Sequence, residues 1–343
     1  MKLLMITRKV DAADSRVGFV VGWVNALAKN LDTLYVLCWQ PSKTDQLNAN
    51  VELINIAQGG MLKKIFSLGK SINRIKKQID GIFCHMNPEY AILARVYYFG
   101  RIVSWYTHKA ISWRRYLMEL VSSRIITASA QSFRLPLFEK RVHVLGHGID
   151  VAIFKPSGKA DHEGMVLATI GRISPTKDYE SMIKAVAMLR REGVEKINLH
   201  IFGTPSLDTD QTYQGRLHAM VDVMKLSSAI QFPGSINHID VPHVLQHADV
   251  FINLSNTGSL DKAVLEAMAC ECIVLTSNEA FADILPPELL VEKNNPKALA
   301  EKIKWVMGLP SEQRETYQKQ LRKIVVEYHN LDVLAKKIVE QFN

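Results

Sequence analysis

The chain has 343 residues, more than the ~100–150 that one core usually holds, so two domains are expected. A hydrophobic fraction of 48% and a charged fraction of 22% suit a globular chain and exclude disordered, collagen-like and coiled-coil classes; no apolar run approaches the ~18–20 residues of a membrane helix. The net charge of +8 is uneven: residues 1–155 carry 22 Lys and Arg against 10 Asp and Glu, a net +12, and residues 156–343 carry 20 against 24, a net −4, so the first half is expected to face an anionic partner.

In chain order, short apolar stretches alternate with helix-length ones. Strands are predicted over 2–6, 34–38, 51–56, 81–85, 102–106 and 124–128, and helices over 19–30, 62–79, 89–99 and 111–121. A polar, Pro- and Gly-containing segment, 155–164, reads as a linker. The scheme then repeats, with strands over 166–171, 197–203, 230–232, 250–254, 273–276 and 289–291. Helices are predicted over 179–192, 212–224, 241–247, 262–270 and 296–307, then 311–328 and 332–342, with Asp332 as the cap of the last. Near-continuous apolar strands separated by helices imply parallel sheets covered on both faces. The expected fold class is therefore α/β, with two Rossmann-like, doubly wound parallel-sheet domains facing an interdomain cleft, where open sheets of this kind bind ligands.

Two stretches carry chemistry. In VLATIGRISPTKDYESMIK a strand ends at Gly171, Arg172 follows, and Lys177 stands just before a helix. Gly171 permits close backbone approach, Arg172 can fork onto two phosphate oxygens, and Lys177 adds a point charge; both cations could equally be solvated loop charges. In SNTGSLDKAVLEAMACEC a strand leads through a turn into a helix beginning near Asp261, whose first amides are expected to be unpaired. Glu266 lies in an apolar run and needs a partner, which sugar hydroxyls or a structural salt bridge could supply. Asp208-Thr209-Asp210 reads as a turn in a polar loop. Cys38, Cys84, Cys270 and Cys272 have neither zinc-ligand nor disulfide-framework spacing and read as buried thiols.

GRISPTKDYESMIKA followed by GSLDKAVLEAMAC resembles the donor-binding half of a retaining glycosyltransferase of family 4 with the GT-B fold (the group 1 glycosyltransferases). HMNPEY, WYTHKAIS, ITASAQSFRL and GHGID resemble that family's acceptor half and hinge. The resemblance implies an acceptor-side domain over 1–154, a nucleotide-sugar donor domain over 155–328, and a segment 329–343 packing back toward the first domain. It implies a hexosyltransferase-type enzyme moving a sugar from a nucleotide-diphosphate sugar to a hydroxyl of a glycan or lipid-linked acceptor with retention. On the same resemblance Arg172 and Lys177 neutralise the diphosphate, Glu266 grips the ribose and His108 lies by the donor sugar. Gly18 stands in the loop that admits the diphosphate, and Gly234 stands where the base meets backbone. Gly171, Asp261, Lys262, Ala263 and Val264 complete the donor site. His85 and His147 follow strands on the ligand side and are possible acceptor or hinge contacts, although a lone histidine is more often a packed one. The chain departs from the family pattern at Gly258, where the first glutamate of E-x7-E is expected, at Glu271, where a glycine usually ends the helix, and at Ile273 in place of proline. Asp261 is the nearest acid able to stand in for the missing glutamate.

No cofactor and no metal is expected, since fixed cations can stabilise a leaving diphosphate. Residues 62–79 place Ile65, Leu68, Ile72, Ile75 and Ile79 in an amphipathic stripe opposite Lys63, Lys64, Lys70, Arg74, Lys76 and Lys77. Trp105, Trp113 and Tyr116 mingle with Lys109, Arg114 and Arg115. Peripheral contact with an anionic membrane is one reading of these stretches and packing on the sheet the other. The apolar run before Arg8 and Lys9 is too short for a signal-peptide core, and the expected location is cytoplasmic, at the inner face of the membrane. No nucleic-acid signature is present. Two alternatives remain: a GT-B relative that hydrolyses or epimerises a nucleotide sugar, and a non-catalytic nucleotide-sugar-binding relative.

Overall fold

The computed structural model describes residues 1–14, 17–43, 46–158 and 162–343. Part of the expected linker, residues 159–161, and four residues of two loops in the first half fall outside the described residues.

The chain divides into two compact units, one of residues 1–150, 237–239 and 328–343, the other of residues 151–236 and 240–327. The first is built on β1 (Lys2–Thr7), β2 (Thr33–Cys38), β3 (Val51–Asn55), β4 (Gly81–His85), β5 (Arg101–Trp105), β6 (Arg124–Thr127) and β7 (Val142–Val144). These strands form one sheet in the order β3-β2-β1-β4-β5-β6-β7, with every neighbouring pair parallel. The central strands are apolar at nearly every position because both faces are covered. On one face lie α2 (Met61–Ile75), α3 (Pro88–Tyr97) and α4 (Trp113–Val121). Leu68, Ile72 and Ile75 of α2 join Ala91 and Ala94 of α3 and Met118 of α4 in the core there. α1 (Val20–Ala28) packs against α11 (Leu331–Glu340).

The second unit has β8 (Met165–Ile170), β9 (Ile197–Phe202), β10 (Ile230–Gly234), β11 (Val250–Asn253) and β12 (Ile273–Thr276). Their order is β10-β9-β8-β11-β12, again all parallel. The helices are α5 (Tyr179–Arg191), α6 (Asp208–Val223), α7 (Val241–His247), α8 (Lys262–Ala269), α9 (Pro296–Met307) and α10 (Ser311–Tyr328). Both sheets step outward and then reverse from a central strand, the doubly wound pattern.

Several expectations are corrected. Strand β7 escapes the sequence because its three residues are only partly buried at a sheet edge. Residues 289–291 are not a strand; Pro287–Leu289 forms a 3-10 turn, and only a single bridge, Thr276 to Leu290, joins this segment to β12. Asp208 and Asp210 are not in a turn but open α6, where acidic side chains suit the helix dipole. Asn330, not Asp332, caps α11, accepting from the amides of Asp332 and Val333. The amphipathic stripe of α2 packs on the sheet: Leu68, Ile72, Ile75 and the following Ile79 are buried, and Ile65 is partly so. Trp105 and Arg115 are buried too and do not belong to a surface aromatic–basic patch.

Candidate functional site

The second unit gathers most of the residues singled out in the sequence at the carboxyl end of its sheet. Burial of Tyr179 at the start of α5 places its hydroxyl against the carbonyls of Gly171 and Arg172, at 3.2 and 3.3 Å, so the chain leaving β8 is held in one path. Arg172 lies on that path with an exposed side chain, and no described side chain pairs with its guanidinium. Lys177 closes the following 3-10 turn, and Asp178, in the left-handed region at φ 47°, caps α5 through the Ser181 amide.

Lys177 reaches across to α8 and forms an ion pair with Asp261. Asp261 is the N-cap of that helix: one carboxylate oxygen accepts from the Ala263 amide at 3.3 Å, the other from the Asn253 side chain at 2.9 Å. Burial alone would raise the Asp261 pKa, but the Lys177 charge and these hydrogen bonds outweigh it and hold the carboxyl below its ordinary value. The Asn256 amide donates to the Thr176 carbonyl at 2.9 Å, a second tie between the two loops.

The expected ring of unbonded amides is thereby corrected. Ala263 donates to the Asp261 side chain and Val264 to the Asp261 carbonyl at 3.2 Å. Glu266 is buried and pairs with Lys262 at 2.7 Å, one helical turn away, the structural salt bridge the sequence left open. A ligand's hydroxyls or phosphate would have to compete with these contacts.

Three glycines the sequence treats unequally lie side by side. Gly171, Gly203 and Gly234 end β8, β9 and β10, linked by Gly171 N–H to Phe202 O at 3.0 Å and Gly203 N–H to Gly234 O at 2.8 Å. A Cβ on Gly203 would stand 1.8 Å from the Gly171 carbonyl oxygen, and the φ angles of Gly203 and Gly234 are 146° and 88°, so these two positions of the ledge call for glycine. Gly203, Tyr179 and Asn253 are not among the site residues singled out in the sequence. The only sequence signal for Gly203 was the recurrence of a glycine after each of three successive strands.

The departures from the family pattern also acquire a geometry. Gly258 sits at φ 62°, a backbone a glutamate would adopt only at a cost of roughly 1–2 kcal/mol. Glu271, at φ 60°, occupies the left-handed position past the end of α8, with its amide on the Met268 carbonyl and the Cys272 amide on that of Ala267, a Schellman ending that glycine usually serves.

The remaining candidates belong to the first unit. His85, at the end of β4, is buried, its Nδ1 3.2 Å from Thr7 Oγ1 and its ring against Trp23: a packed histidine. The Nδ1 of His147 accepts from the Gly148 amide at 3.0 Å, while its own amide donates to His329 Nδ1 at 2.9 Å. Burial pushes the His329 imidazole down to about 4. His108 lies in the loop after β5, exposed and edge-on to Tyr106 at 5.6 Å. Gly18 precedes α1, and the groups a Cβ there would crowd are the carbonyls of Asp14 and Ala12 in its own loop, at 2.8 and 2.9 Å. Among the described residues no three His, Cys, Asp or Glu side chains converge as a metal site would require.

Residues 150–324 match the family described as Glycosyl transferases group 1, and the chain belongs to that family. Among curated proteins it is similar to the putative colanic acid biosynthesis glycosyltransferase WcaL of Escherichia coli strain K12, 23% identical over 210 residues, 58% of this chain and 50% of that protein. It is also similar to mannosylfructose-phosphate synthase of Agrobacterium fabrum, 26% identical over 143 residues, 39% of this chain and 32% of that protein. The chain thus matches half or less of the length of these relatives. Among solved structures, Anabaena HepE in complex with UDP and glucose superposes with a TM-score of 0.78 at 16% identity, covering 99% of each chain. A glycosyltransferase from Rickettsia africae gives 0.79 at 17% identity, covering 99% of this chain and 97% of that one. At these identities the likeness is one of fold, the two-domain GT-B architecture.

Proposed function

We propose that this chain transfers a sugar from a nucleotide-diphosphate sugar to a hydroxyl acceptor with retention of configuration and without a divalent metal, as a glycosyltransferase of family 4. The observation that carries this reading is the second-unit constellation. Arg172 stands exposed on a path fixed by Tyr179, and Lys177 is held at the start of α8 by Asp261. As the bond between sugar and diphosphate breaks, negative charge gathers on the leaving oxygens, and cations fixed beforehand stabilise it without reorganising. Asp261 positions Lys177, and on this reading the diphosphate takes over part of that pairing. The glycine ledge at the ends of β8, β9 and β10 offers a nucleotide bare backbone to approach, with the Lys177 side chain beside Gly171. Membership of the group 1 family and the fold shared with Anabaena HepE, solved in complex with UDP and glucose, support the same assignment.

The test is a thermal-shift screen of uridine, guanosine and adenosine diphosphates and their sugars. A ligand that binds the folded state raises Tm by mass action, so one base series is expected to stand out, and no shift with any of them would remove the reading. Product anomer determined by NMR tests retention, and activity retained in a chelator tests metal independence. Free sugar released at full rate without acceptor would favour the hydrolase alternative.

For the first unit the reading includes peripheral contact with an anionic bilayer at the cytoplasmic face. What supports it is no longer the buried stripe of α2 but its opposite side, where Met61, Leu62 and Phe66 are exposed among Lys63, Lys70 and Arg74. Sedimentation with anionic vesicles at low salt is expected to carry the protein down, and recovery of all of it in the supernatant would remove the contact.

A further inference from the structure

Helix α4 is built inside out. Arg115 and Glu119, both 0% exposed, form a 3.0 Å ion pair on its buried side. They clamp the following loop: the Arg115 guanidinium donates to the carbonyls of Arg134 and Leu135, and Glu119 accepts from the Leu137 amide at 2.7 Å. The outward side of the same helix is apolar, with Trp113 67% and Leu120 56% exposed and Leu117 between them. A helix that buries an ion pair and leaves its tryptophan in water, with Arg114 its one outward charge, presents a surface meant to be covered.

That surface continues into a cavity of about 590 Å³ between α2, α3 and α4. Its outer walls are Met61 and Ile65 of α2 and Trp113 and Leu117 of α4. Its inner end lies at the carboxyl ends of β1, β2 and β4 and is polar: Arg8, Gln40 and Tyr90. Tyr90 is 3% exposed, yet its hydroxyl makes no hydrogen bond of normal length among the described residues. A buried hydroxyl without a well-formed partner costs about 1–3 kcal/mol, so with only the Asn87 side chain beside it an acceptor oxygen from a ligand would be favoured at this point. Glu89 also lines the cavity, but Arg114 pairs with it at 3.0 Å. Arg8, held by Gln40 at 3.3 Å, therefore leaves the inner end cationic, and Lys64, outside the lining, lies 5.7 Å from the ring of the lining Trp39.

We infer that this cavity holds the sugar acceptor and that the acceptor is a lipid: a phosphate-bearing head sits at Arg8 and the Tyr90 hydroxyl, and an apolar chain passes between Ile65 and Leu117 and leaves past Met61 and Trp113 toward a bilayer. The inference rests on the glycosyltransferase reading only for the word acceptor; the binding itself does not. A soluble glycan would leave the apolar walls and the α4 face in water. Inorganic phosphate or a free sugar phosphate would fill only the inner end. The prenyl phosphate portion of a lipid-linked sugar matches both ends at once, and its sugar brings the acceptor hydroxyl.

The experiment is titration calorimetry of the full chain with farnesyl phosphate below its aggregation limit, beside farnesol and inorganic phosphate. Farnesyl phosphate is expected to bind at least about tenfold more tightly than either fragment. Leu117→Glu and Arg8→Gln, both at exposed positions, are each expected to weaken it about tenfold or more while leaving Tm and the nucleotide-induced thermal shift unchanged. Farnesol binding as tightly as its phosphate, phosphate alone binding as tightly, or unaltered affinity in Leu117→Glu would each overturn the proposal. A concentration-dependent dimer abolished by Leu117→Glu would also overturn it, by giving the face to a second copy of the chain. Because nucleotide binding is measured on the same samples, the two claims separate. A nucleotide shift without lipid binding removes the lipid alone; lipid binding without any nucleotide shift removes the donor site instead.

Discussion

The carboxyl ends of the two similar sheets carry opposite kinds of surface. In the second, the candidate groups at the carboxyl end are charged or bare: an exposed arginine, a lysine locked to an aspartate, and a ledge of three glycines at adjacent strand ends. In the first, the corresponding end of the sheet opens into an apolar cavity with a small cationic floor. The contrast teaches that a doubly wound sheet supplies only a location, its carboxyl edge, and that the residues just beyond the strands decide whether the location suits phosphate or hydrocarbon.

The comparison breaks most directly at the cations. Arg172→Ala and Lys177→Ala are each expected to lower kcat by two or more orders of magnitude, about 2.7 kcal/mol of transition-state stabilisation. Steady-state rates near wild type in both variants would dismiss the assigned site. Lys177→Ala also leaves the Asp261 carboxylate without its cation, so its Tm should fall further than that of Arg172→Ala.

The glycine ledge comes next. Gly203→Ala places a methyl against the Gly171 carbonyl at a φ of 146° and should cost about 3 kcal/mol. A urea midpoint equal to wild type would show that the ledge is not tight.

In the first unit, His329 should make stability depend on acid. Its pKa is down near 4 from an ordinary 6.5, so the unfolded chain takes up a proton before the folded one does. The stabilising contribution is complete above pH 6.5 and is lost as pH falls toward 4, about 3 kcal/mol in all. Urea midpoints of wild type at pH 7 and 4.5 should therefore differ by more than those of His329→Asn. Equal pH dependence would mean the His147–His329 contact is not titrating.

The smallest effect is a gain. Glu271→Gly should stabilise the second unit by about 1 kcal/mol by relieving the left-handed backbone after α8, seen as a rise in Tm with unchanged kcat.

How much of this was legible follows from what each feature depends on. Strand and helix alternation was readable because β1, β4, β8 and β11 are apolar at nearly every position and the helices between them are not. Arg172 and Lys177 were readable because a strand, a glycine and a helix start bracket them within a few residues. The partner of Lys177 was not, since Asp261 lies 84 positions away and nothing in either neighbourhood names the other. The fate of the helix amides was hidden for a related reason: an aspartate at an N-cap either leaves the amides to a ligand or takes one itself. The charged and apolar residues of α4 were visible, but periodicity gives two faces and does not say which is inside. It is the loop carbonyls of Arg134 and Leu135 that draw Arg115 inward.

The crossing of the chain at its end has a consequence for biosynthesis. Trp23, Val24 and Leu27 of α1 are buried in a helix that packs on α11, and the Lys29–Asp332 pair joining the two spans 303 positions. A nascent chain that has emerged as far as residue 327 has every strand of its first sheet but lacks the cover for that helix. At common elongation rates of ~5–20 residues per second, the first unit spends tens of seconds with a tryptophan-bearing surface waiting for residues made long after it. The domain that begins to form first is thus the one that closes last, and it relies on chaperones or on its own solubility in the interval.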